Sequence, residues 1–379
     1  MIININKTII AFCIILFCCK DNHSEKNISS VVFENELKKS KASYAVVVPD
    51  LLIPWGFTFL PDGALLITEK SGALIHFKNG KKTEVKGLPE IYVRGQGGLL
   101  DIELHPDFKT NNILYLSYAS TGGKSGGGNT TIARATFKNQ QLSNFKVLYK
   151  AEPNSTKGVH FGSRLVFDKA GYLYFTVGDR GERDVNPQDI TRDCGKVYRI
   201  NDDGTIPKNN PFFNNLKANK AIYSYGHRNP QGMVINPETN EIWTHEHGPK
   251  GGDEINIIKK GKNYGWPVIS YGVNYSGTKF TELTEKDGME QPLHHWTPSI
   301  APSGMAFIAS EKYGDWKGNL LVGSLKFHYL NRCVIENQKV VKEEKLLEGI
   351  GRVRSIEQGP DGFIYVGVEN LGIIKLLKT

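Results

Sequence analysis

Gly56-Phe57-Thr58-Phe59-Leu60-Pro61-Asp62-Gly63-Ala64-Leu65-Leu66-Ile67-Thr68 reads as two short apolar strands joined by a Pro-Asp-Gly turn. The phrase recurs. Leu100-Asp101-Ile102-Glu103-Leu104-His105-Pro106-Asp107 leads into Ile113-Leu114-Tyr115-Leu116, and residues 355–367 repeat the pattern around Gly359-Pro360-Asp361-Gly362. Further copies occupy residues 164–177, 232–244 and 304–323. Near-continuous apolar strands are what a sheet covered on both faces requires. Six recurrences without a long amphipathic helix predict an all-β fold, a six-bladed β-propeller of four-stranded antiparallel blades. A β-sandwich would not repeat the phrase. The run Val46-Val47-Val48 is expected to supply the outer strand of the last blade and close the ring, which removes two unpaired sheet edges.

The 379 residues are 39% hydrophobic and 23% charged, which excludes a disordered chain. Forty glycines and seventeen prolines fit a turn-rich β protein. The net charge of +8 comes without a Lys/Arg block or a nucleic-acid-binding module, so nucleic acid is not expected as a partner. A small acidic ligand in a basic pocket is compatible with it.

The apolar run from Ile9 to Phe17 follows Lys7 and is too short to span a bilayer, so residues 1–18 are expected to be a signal peptide. Leu16-Phe17-Cys18-Cys19 resembles a bacterial lipoprotein box with Cys19 as the acylated residue, simple secretion being the alternative. Residues 19–42 then read as a solvated tether and 43–379 as the propeller. The expected location is the periplasm, or the outer membrane or cell surface through the lipid anchor alone. Cys194 and Cys333 remain in the folded part, either paired or as two buried thiols.

Polar clusters flank the strands where a propeller gathers loops: Gln96, His160, Asp179, Arg228-Asn229, Gly248-Pro249, Trp296, Lys326, and Arg352 with Arg354. Each has a plain structural reading. A lone histidine before a strand is commonly a hydrogen-bonded scaffold residue, Trp296 could be core, and alternating arginines commonly form a solvated face. His245 and His247 share a strand face but do not form the helical His-Glu-x-x-His zinc motif. Together the clusters supply a base, a carboxylate, several cations and an aromatic plate, a set suited to a flat anionic cofactor with an oxidisable substrate above it.

In this combination, with the residues 226–231, Gly248-Pro249, Asp253-Glu254-Ile255-Asn256 and 263–267, the chain resembles the soluble pyrroloquinoline-quinone-dependent sugar dehydrogenases, specifically their shorter aldose sugar dehydrogenase branch. The resemblance implies oxidation of aldose sugars at the anomeric carbon to lactones, with pyrroloquinoline quinone (PQQ) and Ca2+ as cofactors. An aldose and an unidentified electron acceptor would be the partners. It implies His160 as general base, Asp179 as its orienting carboxylate, and Gln96 at the reacting centre. Arg228 and Asn229 would contact the quinone oxygens, and Lys326, Arg352 and Arg354 the cofactor carboxylates. Trp296 would face the substrate. The carbonyls of Gly248 and Pro249 would bind the cofactor's calcium, and Glu254 with the Tyr264 carbonyl a second one. The chain departs from the larger glucose dehydrogenases at Leu293, where they carry an aromatic residue, so their sugar preference does not transfer. A calcium-dependent lactonase propeller and a non-catalytic ligand-binding propeller are the alternative readings.

Overall fold

The computed structural model describes residues 41–379. The signal segment, Cys19 and nearly all of the tether lie outside them. The described residues form six sheets of four antiparallel strands each, arranged as a β-propeller. Every one of the six sequence phrases supplies the first two strands of one blade: Pro54–Phe59 with Leu65–Glu69 in blade 1, and Leu99–Leu104 with Ile113–Ser120 in blade 2. Leu165–Phe167 with Leu173–Val177 begins blade 3, and Pro230–Ile235 with Ile242–Glu246 begins blade 4. Pro302–Phe307 with Leu320–Ser324, and Val353–Gln358 with Ile364–Val368, begin blades 5 and 6. The second strands of blades 1, 3, 4, 5 and 6 are buried at all five positions.

The first strand of each blade contacts that of the next, and the first strand of blade 6 contacts that of blade 1, so the ring is continuous. Closure uses the strand anticipated around Val46. Ala42–Pro49 pairs antiparallel with Gly372–Lys378, with Ala42 opposite Lys378, and becomes the fourth strand of blade 6.

Packing between blades makes the core. Leu66 of blade 1 lies in one cluster with Leu99 and Leu116 of blade 2, and Trp243 of blade 4 in another with Met305, Phe307 and Leu320 of blade 5. Burying side chains of this size contributes about 1.5–3 kcal/mol each. Cys194 and Cys333 are buried free thiols in separate clusters, so of the two sequence readings the unpaired one holds.

One hydrogen bond also crosses each blade interface. Thr68 Oγ1 donates to the Leu100 carbonyl, Ser117 Oγ to that of Ser163 (2.6 Å) and Thr176 Oγ1 to that of Pro230 (2.9 Å). His245 Nε2 bonds the Gly304 carbonyl (3.2 Å), Ser303 Oγ that of Arg354 (2.9 Å) and Ser355 Oγ that of Pro54 (3.0 Å). In blades 1 to 4 the donor stands on the second strand. In blades 5 and 6 that position is Gly323 or Gly367, and the donor moves to the residue paired with it on the first strand. In blades 1, 4, 5 and 6 the position paired with the donor is a glycine. A Cβ on Gly367 would lie 2.3 Å from Ser355 Oγ, and one on Gly232 2.1 Å from His245 Nε2.

Candidate active site

Because each blade's first two strands are antiparallel, the loop entering the first and the loop leaving the second emerge side by side. The entering loops carry Gln96 (blade 2), His160 (blade 3), Arg228 and Asn229 (blade 4) and Arg352 (blade 6). The leaving loops carry Asp179 (blade 3), Gly248 and Pro249 (blade 4) and Lys326 (blade 5). Two cavities open among them. The larger, about 770 Å³, is lined by Gln96, Pro249, Lys326, Arg352 and Arg354 among others. The smaller, about 340 Å³, is lined by His160, Asp179, Arg228, Pro249 and Trp266. Pro249 and Tyr275 belong to both walls, and Gln96 Oε1 accepts from the His160 backbone N–H at 2.8 Å, so the two spaces adjoin.

His160 Nδ1 lies 2.6 Å from Asp179 Oδ1. Asp179 also accepts from the Trp266 indole N–H at Oδ2 (2.9 Å) and from the Gly181 N–H (2.7 Å). A carboxylate held in this way fixes the proton on Nδ1 and leaves Nε2 as the basic nitrogen. Burial depresses the imidazole's pKa, and Arg228 depresses it further against the opposing Asp179 hydrogen bond. Burial pushes the Asp179 carboxyl up, but His160, Arg228 and the Gly181 N–H together outweigh it and leave the pKa below its ordinary value. At neutral pH the pair is therefore a neutral imidazole on an ionised carboxylate. The loop around His160 is fixed from below by the fully buried Arg180. Its guanidinium donates to the carbonyls of Val159, Gly128 (3.0 Å) and Lys157 (2.9 Å) and lies 3.5 Å from the centre of the Phe161 ring.

Arg228 is held from two sides. Its backbone N–H donates to Glu246 Oε2 (2.5 Å), and Nη1 donates to the carbonyls of His247 and Gly248 (both 3.1 Å). Asn229 is fully buried; its Oδ1 accepts from Gly162 N–H, while Nδ2 has no hydrogen-bond partner and is available to an acceptor. Arg352 and Arg354 do share a direction. Both bind Glu369, Arg352 through Nε at 2.7 Å and Arg354 through Nε at 3.0 Å and through Nη2.

Glu254 accepts from Asn256 Nδ2 (3.2 Å), which also approaches Glu246 Oε1 (3.4 Å). Burial, then the like charge of Glu246, pushes its pKa up to about 8, and the buried Asn256 Oδ1 has no partner. Two carboxylates and an orphaned amide oxygen are hard donors that suit a calcium ion. The Tyr264 ring packs on His227 at 4.6 Å between centroids, and its hydroxyl donates to the Ile257 carbonyl, which places its backbone in the same neighbourhood. His245 and His247 each donate from Nε2 to a backbone carbonyl, of Gly304 and Pro302 respectively, as structural histidines do.

Trp296, expected to face the substrate, lies among the residues of neither cavity wall. It sits in the three-residue outer strand His294–Trp296 of blade 4, buried in the cluster of Trp243 and Phe307, with its indole N–H on Glu343 Oε2 at 2.6 Å. Those contacts hold it in the blade rather than on either cavity wall. The aromatic residues that do line the smaller cavity are Trp266 and Tyr275, the latter 73% exposed. Trp266, Glu246, Glu369 and Arg180 were not singled out by sequence. Trp266 lies inside the motif stretch 263–267 and Glu246 two residues before Gly248, whereas Arg180 directly follows Asp179 and its partners are main-chain atoms.

Fold and rim together give a propeller with a carboxylate-bound histidine next to a cation-lined cavity. The chain belongs to the Glucose / Sorbosone dehydrogenase family, whose profile matches residues 51–376. It is 42% identical over 320 residues to the aldose sugar dehydrogenase YliI of Escherichia coli, covering 83% of this chain and 86% of that protein. Among solved structures it is similar to the soluble aldose sugar dehydrogenase of Escherichia coli in its apo form, with a TM-score of 0.86 and 39% identity over 89% of this chain and all of that one. It is also similar to the PQQ-bound aldose sugar dehydrogenase of Streptomyces coelicolor, with a TM-score of 0.72 and 27% identity over 89% of this chain and 98% of that one.

Proposed function

We propose that the protein oxidises aldose sugars at the anomeric carbon to lactones, using PQQ and calcium bound at the rim. Bound there, the quinone supplies a two-electron acceptor and the calcium a Lewis acid beside it. His160 Nε2 takes the proton of the anomeric hydroxyl, a step worth about 10²–10⁴ in rate from a positioned base. Asp179 keeps the imidazole in the required tautomer and stabilises the imidazolium that forms. Trp266 and Gly181 hold Asp179 in turn. Arg228 and the partnerless Asn229 Nδ2 donate to quinone oxygens, and Lys326, Arg352 and Arg354 hold its carboxylates. Gln96, bonded to the His160 backbone, lies beside the reacting centre. The carbonyls of Gly248 and Pro249 bind the calcium, and Glu254 with the Tyr264 carbonyl binds a second ion.

The observation that carries this reading is the His160–Asp179 pair at 2.6 Å, adjoining a cavity lined by Lys326, Arg352 and Arg354. A lactonase's metal would sit in the funnel on side-chain carboxylates and amides, and Lys326, Arg352 and Arg354, which line the larger cavity, would have no anion to bind. The test is reconstitution: apo-protein mixed with PQQ and calcium reduces an artificial dye when given aldoses. No dye reduction across a panel of mono- and disaccharides, together with hydrolysis of lactones, would overturn the reading in favour of the hydrolase.

A further inference from the structure

We propose that Lys70 is a further anion-binding residue of the rim, one that contacts a carboxylate of the bound cofactor, and that Glu369 is the positioning residue that aligns Arg352 and Arg354 beside it. The inference rests on the proposed reading that an anionic quinone occupies the larger cavity. Lys70 stands in the loop leaving the second strand of blade 1, directly after Glu69. Strand register fixes its counterpart elsewhere in the ring. Glu69 pairs with Pro54 as Val368 pairs with Val353 and Ser324 with Pro302. Lys70 is therefore the blade 1 equivalent of Glu369 in blade 6, and lies one position from the equivalent of Lys326 in blade 5. Three successive blades thus offer a charged residue to the same cavity from the same loop.

All of these residues line that cavity. Lys70 is half-buried there, and its Nζ makes one hydrogen bond, to the Gly95 carbonyl at 3.0 Å. Of its three donor positions, two remain for a ligand. Among the described residues no carboxylate lies within ion-pair distance of it, and Glu369, whose charge it feels, is shared by Arg352 and Arg354. Burial lowers its pKa, and the charge of Arg354 lowers it further, as expected for a cation held close to other cations in a partly dry space. An incoming carboxylate would relieve that repulsion. Glu369 has the opposite part. It draws two flexible guanidiniums into one fixed fork, so less side-chain freedom is lost when an anion binds.

The experiment measures the PQQ dissociation constant of apo-protein in saturating calcium by intrinsic fluorescence quenching, at low and high salt. Lys70→Met should weaken binding about 10- to 100-fold at low salt and flatten the salt dependence. Lys70→Arg should recover most of the affinity. Lys326→Met reports on the cofactor site itself, Lys342→Met is the remote surface control, and thermal midpoints check folding. If the wild-type protein does not bind PQQ, the functional reading fails and this inference with it. If the wild type binds and Lys326→Met weakens it while Lys70→Met and Lys70→Arg match the wild type, the role of Lys70 alone is overturned. If Lys70→Met falls but Lys70→Arg falls equally without loss of thermal stability, the side chain acts by shape rather than charge, and the proposal is again wrong. Glu369→Gln should weaken PQQ binding several-fold with the salt slope retained; unchanged affinity would remove its positioning role.

Discussion

In the proposed role of base, His160 can act only while its imidazole is neutral. Burial holds its pKa below the ordinary 6.5, so that neutral form is present above the depressed value and is lost as pH falls through it. The acid limb of kcat/KM for the reconstituted enzyme should therefore lie below pH 6.5. Asp179→Asn removes the carboxylate that favours the imidazolium, so the limb should move to still lower pH while kcat falls about 10²-fold or more. A limb at or above the free-histidine value, or one that Asp179→Asn leaves in place, would remove His160 from the role of base. Much of this candidate site was legible residue by residue, because His160, Asp179, Arg228 and the Arg352/Arg354 pair stand in polar clusters that flank the repeated strands. Trp296 is ambiguous in sequence because a tryptophan before a Thr-Pro turn reads alike in a site or a core. What decides between them is Glu343, a strand away in the next blade. In sequence Lys70 and Glu369 look like turn charges of the sort any exposed loop carries. The signal was there: superimposing the phrase 65–70 on 364–369 puts them at one position.

At the scale of the strand pair, the donor crossing each blade interface is a local rule with two solutions. A hydroxyl or imidazole stands opposite glycine in blades 1 and 4, and serine opposite glycine the other way round in blades 5 and 6. Such bonds add to apolar packing because they are buried, and a buried carbonyl left without its donor costs about 1–3 kcal/mol. Thr176→Val keeps the shape but strips the donor from the blade 3 to blade 4 interface, so denaturant unfolding should show a loss of that size. A change below about 0.5 kcal/mol would mean that the bond contributes nothing net. The inner strands were readable from sequence because both faces are covered and their apolar runs are unbroken. The outer strands were not. Lys81–Glu84 is polar and largely exposed, and His294–Trp296 has only three residues, so neither carries a hydrophobic period.

Across the whole molecule, the larger cavity draws residues from blades 1, 2, 4, 5 and 6, and the smaller adds blade 3. The site thus exists only when the ring is closed, and a ligand that binds it stabilises every blade together. PQQ with calcium, each at about 100 times its dissociation constant, should raise the midpoint of a single calorimetric transition, equivalent to about 2.7 kcal/mol for each independent site. Two transitions, with only one displaced, would contradict a ring-wide site. The number of blades was legible because the phrase repeats. The assignment of Ala42–Pro49 to the last blade needed the further argument that an open sheet edge is a hazard. That same strand has a consequence during synthesis. It leaves the ribosome ahead of everything it will pair with, since its partner Gly372–Lys378 is the last of the described strands along the chain. At about 5–20 residues per second it waits tens of seconds as a bare β-forming sequence, with Tyr44 and Val46 on its outward side. Lys38, Lys39 and Lys41 directly precede it. Their charge is a gatekeeper against pairing with the same strand of a neighbouring nascent chain.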